Sequence, residues 1–191
     1  MSAAANTNTP AITGLILAGG EGRRMGGIDK GWAIVDGEPL VKQTLVRLRS
    51  QVKDVLISAN RNLADYAALG CPVVQDEGSG FEGPLAGLLA GLKHCTTKLL
   101  VCVPCDTPGF PPDLVARLVA PILTGEAQAS FAVSDVRSQP VFMACTIDFL
   151  APLEAAFNSG ERRVGQYLLS QGAMPVRFPD ESTFTNFNTL P

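Results

Sequence analysis

The sequence predicts a three-layer α/β domain with a mostly parallel central sheet and helices on both faces. Three observations predict it. Short apolar runs alternate with helical-period segments through about residue 120, the pattern of successive β-α-β units. The first apolar run, residues 12–17, stops in a glycine-rich loop. Polar residues Asn60, Asp76 and Asp106 follow three later runs, at what would be the carboxyl ends of strands, where parallel sheets bind ligands.

The elements follow in chain order. Residues 12–17 read as a buried strand ended by Gly19 and Gly20. Pro39 opens a helix with Leu40, Thr44, Leu45, Leu48 and Val52 on one face; proline suits the first turn because its missing N–H is not needed there. Residues 55–58 and 72–74 are a second and a third strand. Pro84 opens a helix carrying Leu85, Leu88, Leu89 and Leu92 at helical spacing. Residues 99–103 form a strand running into Pro104, Cys105 and Asp106, and Pro111-Pro112-Asp113 start a helix reaching about Leu118. Strands near 130–134, 141–144, 175–178 and 183–187, with helices near 148–157 and 162–169, read as α+β decoration.

Composition bounds the function. A chain of 191 residues fits one domain with an ample core. Hydrophobic residues at 46 % and charged residues at 17 % describe a folding chain. A net charge of -3 excludes general nucleic-acid binding but is compatible with a local basic pocket for phosphate. The first basic residue is Arg23, so no secretory signal is expected, and no apolar run approaches a membrane span. Five cysteines without regular spacing read as reduced thiols in a cytoplasm. The small polar opening MSAAANTNTP reads as a disordered tail over 1–10, ahead of a single domain over 11–191.

The stretch LILAGGEGRRMGGIDKG, residues 15–31, carries the chemistry. Gly19, Gly20, Gly22, Gly26 and Gly27 let the backbone turn tightly and bring N–H groups close to a ligand. Arg23, Arg24 and Lys30 add positive charge beside them, which together suits a polyphosphate. A Walker A loop fails on spacing, because Ile28 and Asp29 follow Gly27 where lysine is required. A Rossmann fingerprint fails too, with Met25 in place of the third glycine and Asn60, not an acid, ending the second strand. A rival class comes from Cys102-Val103-Pro104-Cys105, the CxxC of a dithiol oxidoreductase. Cys102 lies within an apolar run, however, which favours packing over redox chemistry.

LAGGEGRRMGGIDKG resembles the signature of nucleotidyltransferases of the nucleotide-sugar pyrophosphorylase type, and more specifically of the molybdenum cofactor guanylyltransferase family. ISANR, VVQDE, GPLAGLLAGL, VPCDTPGFPPDL, GERRV and FTNFNTL follow in the same order and extend the resemblance over residues 12–190. The sister cytidylyltransferases carry LAAG where this chain has LAGG, and MGGIDK and PCDTP also lean to the guanylyl side; sugar-phosphate nucleotidyltransferases share the same loop, lysine and aspartate plan.

The resemblance implies a Rossmann-like nucleotidyltransferase fold and a Mg²⁺-dependent transfer of GMP from GTP to the terminal phosphate of molybdopterin, with loss of pyrophosphate. It implies roles residue by residue. Backbone N–H groups of Leu17, Ala18, Gly19 and Gly20 would cradle nucleotide and phosphates. Arg24 would neutralise the leaving pyrophosphate, and Lys30 would act near the reacting centre. Asp106 would hold Mg²⁺, and its other reading, an N-cap, is weakened by Thr107, Pro108 and Pro111 intervening before the helix. Asn60 and Asp76 would contact the nucleotide or, more blandly, end a strand and a turn. The nucleotide part would span about 11–120 and the acceptor part about 121–191. In the latter, Asn186 and Asn188 would share one side of a strand and face molybdopterin. Arg162 and Arg163 would bind its phosphate or else begin a solvated helix paired with Glu161. Cofactor-biosynthesis proteins and the molybdoenzymes that receive the product are the implied partners. Two departures from the family pattern are visible: Gln139 stands in RSQPV where relatives often carry His-Pro, and the chain ends at Pro191, where relatives continue into a helix. Gln139 is given no catalytic role.

Overall fold

The computed structural model describes residues 10–19, 29–77 and 82–187. The tail expected over 1–10, apart from Pro10, lies outside them, as do Gly20, Gly22, Arg23, Arg24, Gly26, Gly27 and Asn188.

Strand β1 (Ile12–Leu17) lies inside a seven-stranded sheet, paired on both edges. A short hairpin, β2 (Ile34–Val35) and β3 (Glu38–Pro39), turns through Asp36 and Gly37, both at positive φ. This Asp-Gly pair was a readable hairpin signal that the helix-strand pattern overlooked. Helix α1 (Leu40–Arg49) follows directly, then β4 (Asp54–Ser58), a one-turn α2 (Leu63–Ala67), β5 (Val73–Val74) and α3 (Pro84–His94). Strand β6 (Leu99–Pro104) leads to α4 (Leu114–Leu123). The remainder is β7 (Ala129–Val133), β8 (Ser138–Thr146), α5 (Leu150–Asn158), α6 (Val164–Ser170) and β9 (Met174–Arg177).

The strand order is β5-β4-β1-β6-β8-β7-β9. Only β8 runs against its neighbours, β6 and β7; the remaining ladders are parallel. The mostly parallel sheet is therefore as expected. The strands after residue 120 are more than decoration, because they extend the same sheet past β6. The helix begun at Pro111–Asp113 starts at Leu114 and runs beyond Leu118 to Leu123; Gln51 Oε1 takes the Val115 N–H at its start. The strand expected over 183–187 is absent. Asp180 accepts hydrogen bonds from the Ser182 N–H at 3.0 Å and hydroxyl at 2.6 Å, winding Glu181–Phe184 into a 3₁₀ turn.

Period-two alternation sorts the sheet residues into two cores. Ile12, Ile16, Val55, Ile57, Leu99, Val101 and Val103 pack with α1, α2 and α4 on one face. Leu15, Leu56, Leu100 and Cys102 pack with α3, α5 and α6 on the other. Each fully buried aliphatic side chain contributes about 1.5–3 kcal/mol. Helix α3 approaches the sheet closely at Gly87 and Gly91, one turn apart: a Cβ at Gly91 would fall 2.4 Å from Leu15 Cδ2, and one at Gly87 would fall 2.6 Å from Ser58 Oγ. Among the described residues no helix is long and apolar enough to cross a membrane.

Since Leu15 is fully buried, it has no room to yield to a new methyl group. Gly91→Ala is expected to destabilise the protein by about 1–3 kcal/mol, read as a lower urea midpoint at unchanged m-value.

Candidate functional site

Sheet register places the predicted polar residues on one level. Leu17 pairs with Ser58 on β4 and with Pro104 on β6, and Ser58 pairs with Val74 on β5. Gly19, Asn60, Asp76 and Asp106 are each two residues beyond one of those positions. They form a row across the carboxyl ends of four adjacent parallel strands, spaced about 4.8 Å per strand. Asn60 and Asp106 thus flank the end of β1, about 10 Å apart.

Within the row, Asn60 and Asp76 hold each other. Asn60 Nδ2 donates to Asp76 Oδ2 at 2.8 Å, and the Asp76 N–H donates to Asn60 Oδ1 at 3.0 Å. Gly19 lies against this pair: a Cβ there would stand 3.5 Å from Asn60 Nδ2. Asp76 Oδ1 is buried without a hydrogen-bond partner. Burial raises the Asp76 carboxyl above its ordinary value, against the lowering effect of Asn60.

Asp106 is the second focus. Its Oδ2 receives the Lys30 ammonium at 3.2 Å and the Asn186 amide at 3.0 Å, and its Oδ1 receives the Thr107 hydroxyl at 3.3 Å. The preceding Cys105 is fixed from both sides, its N–H donating to Leu17 O and its carbonyl accepting from Thr44 of α1. Although the final strand is missing, Asn186 still arrives. Phe184 inserts between Phe142 and Phe178 at ring distances of 5.0 and 5.7 Å, and the Phe187 N–H donates to Asp106 O.

Other expectations need correction. The Ala18 N–H donates to Ser58 O at 2.8 Å, so it is spent on the sheet and does not face a phosphate. Leu17 likewise belongs to the paired strand. The Arg162 guanidinium is committed to Glu82 at 2.8 Å and to the Phe157 and Glu161 carbonyls, and stacks 3.9 Å over the Phe157 ring. Glu161 accepts the backbone N–H groups of Arg163 and Arg162, and these bonds, with the nearby charges of both arginines, lower its carboxyl. Arg163 remains exposed beside them. The CxxC thiols belong to opposite faces of the sheet, Cys102 in one core and Cys105 in the other. Burial pushes both thiols up, the reverse of a redox dithiol.

Asp29 was not singled out from sequence. It is buried between Tyr66, Asn62 and Arg61. The only signal was an acid directly before the lysine, which spacing alone does not interpret.

A strand-end row of this kind is where open parallel sheets bind ligands, and the comparisons put the chain among the nucleotidyltransferases. The MobA-like NTP transferase domain matches residues 14–173. A molybdenum cofactor guanylyltransferase of Bordetella pertussis is 46 % identical over 94 % of this chain and 93 % of its own length. One of Cupriavidus metallidurans is 47 % identical over 94 % and 91 %. The crystal structure of molybdopterin-guanine dinucleotide biosynthesis protein A from Archaeoglobus fulgidus shares the fold, with a TM-score of 0.75 at 21 % identity over 93 % of this chain and 92 % of that one. The chain belongs to the MobA-like NTP transferase family and, within it, to the molybdenum cofactor guanylyltransferases.

The raised Asp76 carboxyl has a stability consequence. Above the unfolded carboxyl value of about 3.9, the folded state holds this proton more tightly than the unfolded state. Its contribution therefore falls as pH rises through that window. Asp76→Asn is expected to flatten the decline, which urea midpoints from about pH 4 upward, compared with the parent protein, would measure.

Proposed function

We propose that this protein transfers GMP from GTP to the terminal phosphate of molybdopterin, releasing pyrophosphate and forming the guanine dinucleotide of the cofactor. The observation that carries this reading is the Asp106 carboxylate at the end of β6, bracketed by Lys30 and Asn186, in a chain whose relatives bear that activity in their names.

A phosphate oxygen of the acceptor attacks the α-phosphorus of GTP. A P–O bond forms, the bond to the bridging α–β oxygen breaks, and its electron pair leaves on pyrophosphate. Such transfers are accelerated mainly by alignment and by neutralising charge. Lys30, at 26 % side-chain exposure, supplies positive charge where it builds up. Gly19, Asn60 and Asp76 take the nucleoside side, and the unpartnered Asp76 Oδ1 is an acceptor suited to an N–H or O–H of the bound nucleotide. Asn186 and the exposed Arg163 face the acceptor and its phosphate. Gly20 and Arg24, outside the described residues, keep the roles the family resemblance gives them.

The Asp106 carboxylate suits Mg²⁺, which typically takes one or two carboxylates plus phosphate oxygens and water. Asp106 would hold it, and when bound it would supply Lewis-acid neutralisation of the phosphates. Residues 11–120 form the nucleotide part and 121–191 the acceptor part of the proposed arrangement. We place the activity in the cytoplasm, with cofactor-biosynthesis proteins and molybdoenzymes downstream; the free Cys71, Cys95, Cys102, Cys105 and Cys145 support a reducing compartment.

Protein, Mg²⁺ and molybdenum-loaded molybdopterin, supplied with GTP or CTP separately, should yield a guanine dinucleotide from GTP only, identified by mass. A cytosine product would overturn the base assignment. Asp106→Ala should abolish Mg²⁺-dependent turnover and leave the fold intact by circular dichroism. Lys30→Ala should lower kcat more than it weakens GTP binding.

A further inference from the structure

The Lys30 ammonium sits on a side chain with many rotatable bonds, so its alignment depends on how firmly its own backbone is held. That backbone is anchored by its neighbour. The Asp29 carboxylate is only 4 % exposed. Its Oδ1 accepts the Tyr66 hydroxyl at 2.6 Å and the Gly31 N–H at 3.1 Å. Its Oδ2 accepts the Asn62 amide at 3.0 Å and pairs with Arg61 Nε at 3.6 Å.

The surroundings are shaped for this one carboxylate. Burial raises the Tyr66 hydroxyl far above its ordinary value, so it stays protonated and donates. The Trp32 ring covers Tyr66 at 5.4 Å. A Cβ on Gly31 would fall 2.3 Å from the Tyr66 hydroxyl oxygen, so glycine is needed for the approach. Asn62 turns toward Asp29 from a left-handed backbone, φ 50°, a conformation asparagine tolerates better than most residues. A buried, charged hub is a poor way to gain stability, since apolar replacements of such hubs are often as stable or more so. What it does specify is geometry, by tying residues 29–31 to residues 61–66.

We propose that Asp29 is a positioning residue for Lys30: its bonds to Tyr66, Asn62 and Gly31 aim the ammonium at Asp106 and hold the lysine segment in register with the segment carrying Asn60. The catalytic part of this inference rests on the function proposed above; the positioning part does not.

Asp29→Asn would set an amide donor against the Asn62 and Arg61 donors. In the full-length protein, kcat should fall about 10- to 100-fold, the usual consequence of small misalignment, with the KM for GTP moving less than about threefold. Introduced into Lys30→Ala, the same change should reduce kcat no further, because its effect passes through the lysine. Independently of any substrate, amine labelling followed by peptide mass spectrometry should find Lys30 reacting several-fold faster in Asp29→Asn, with Lys42 and Lys53 unchanged. An unchanged Lys30 labelling rate, or an equal kcat loss with and without Lys30, would overturn the proposal. Should Asp29→Asn fail to fold, Tyr66→Phe, which removes one hydroxyl from the hub, serves for both readouts. If the parent protein forms no dinucleotide, the functional reading fails while the labelling result still decides the positioning.

Discussion

Everything at the ligand-binding end depends on strand β1 being paired in parallel on both edges. With β4 on one side and β6 on the other, both in register at Leu17, the chain must leave the sheet at the same level three times over. Parallel strands all point their carboxyl ends one way, so Gly19, Asn60 and Asp106 emerge together although 87 residues separate the first from the last. No interaction among those residues is needed to gather them; the ladder does it.

The charges gathered there are handled by pairing rather than by exposure. Asp29 is buried with hydrogen-bond donors on both oxygens, and Asp106 meets an ammonium and an amide on one oxygen. The contrast lies in what each is left able to do. The donors of Asp29 come from the hub's own rigid elements, so it is a fixed point. Asp106 is held by a lysine side chain, the Asn186 amide and a rotatable threonine hydroxyl, groups that can reorient. Leaving such groups unpaired in a partly buried site would be costly, and their pairing with each other offsets that cost.

The chain after residue 120 completes the site from the far side. Strands β7, β8 and β9 continue the sheet, and the phenylalanine cluster of Phe110, Phe142, Phe178 and Phe184 seats the last described turn. An apolar anchor thereby sets the position of a polar residue: Phe184 is buried so that Asn186 can reach Asp106. Lys30 from before β2 and Asn186 from after β9 thereby meet on one carboxylate.

The sequence by itself determined the main alternation of strands and helices through about residue 120, without the β2–β3 hairpin and the short α2, together with the mostly parallel sheet and the polar residues Asn60, Asp76 and Asp106 at its strand ends, because these are written in local apolar periodicity and in the polar residue that ends each run. Lys30 was legible from its loop, and its family from the motifs around it. Only the tertiary structure decided the pairings: Asn60 with Asp76, Lys30 and Asn186 with Asp106, Arg162 with Glu82, and the two CxxC thiols on opposite faces. It also turned the expected last strand into a 3₁₀ turn and brought out Asp29. The physical reason is range. Helix and strand signals arise between residues a few positions apart, whereas Asp29 meets Tyr66 and Lys30 meets Asp106 across 37 and 76 residues, distances that only the folded sheet closes.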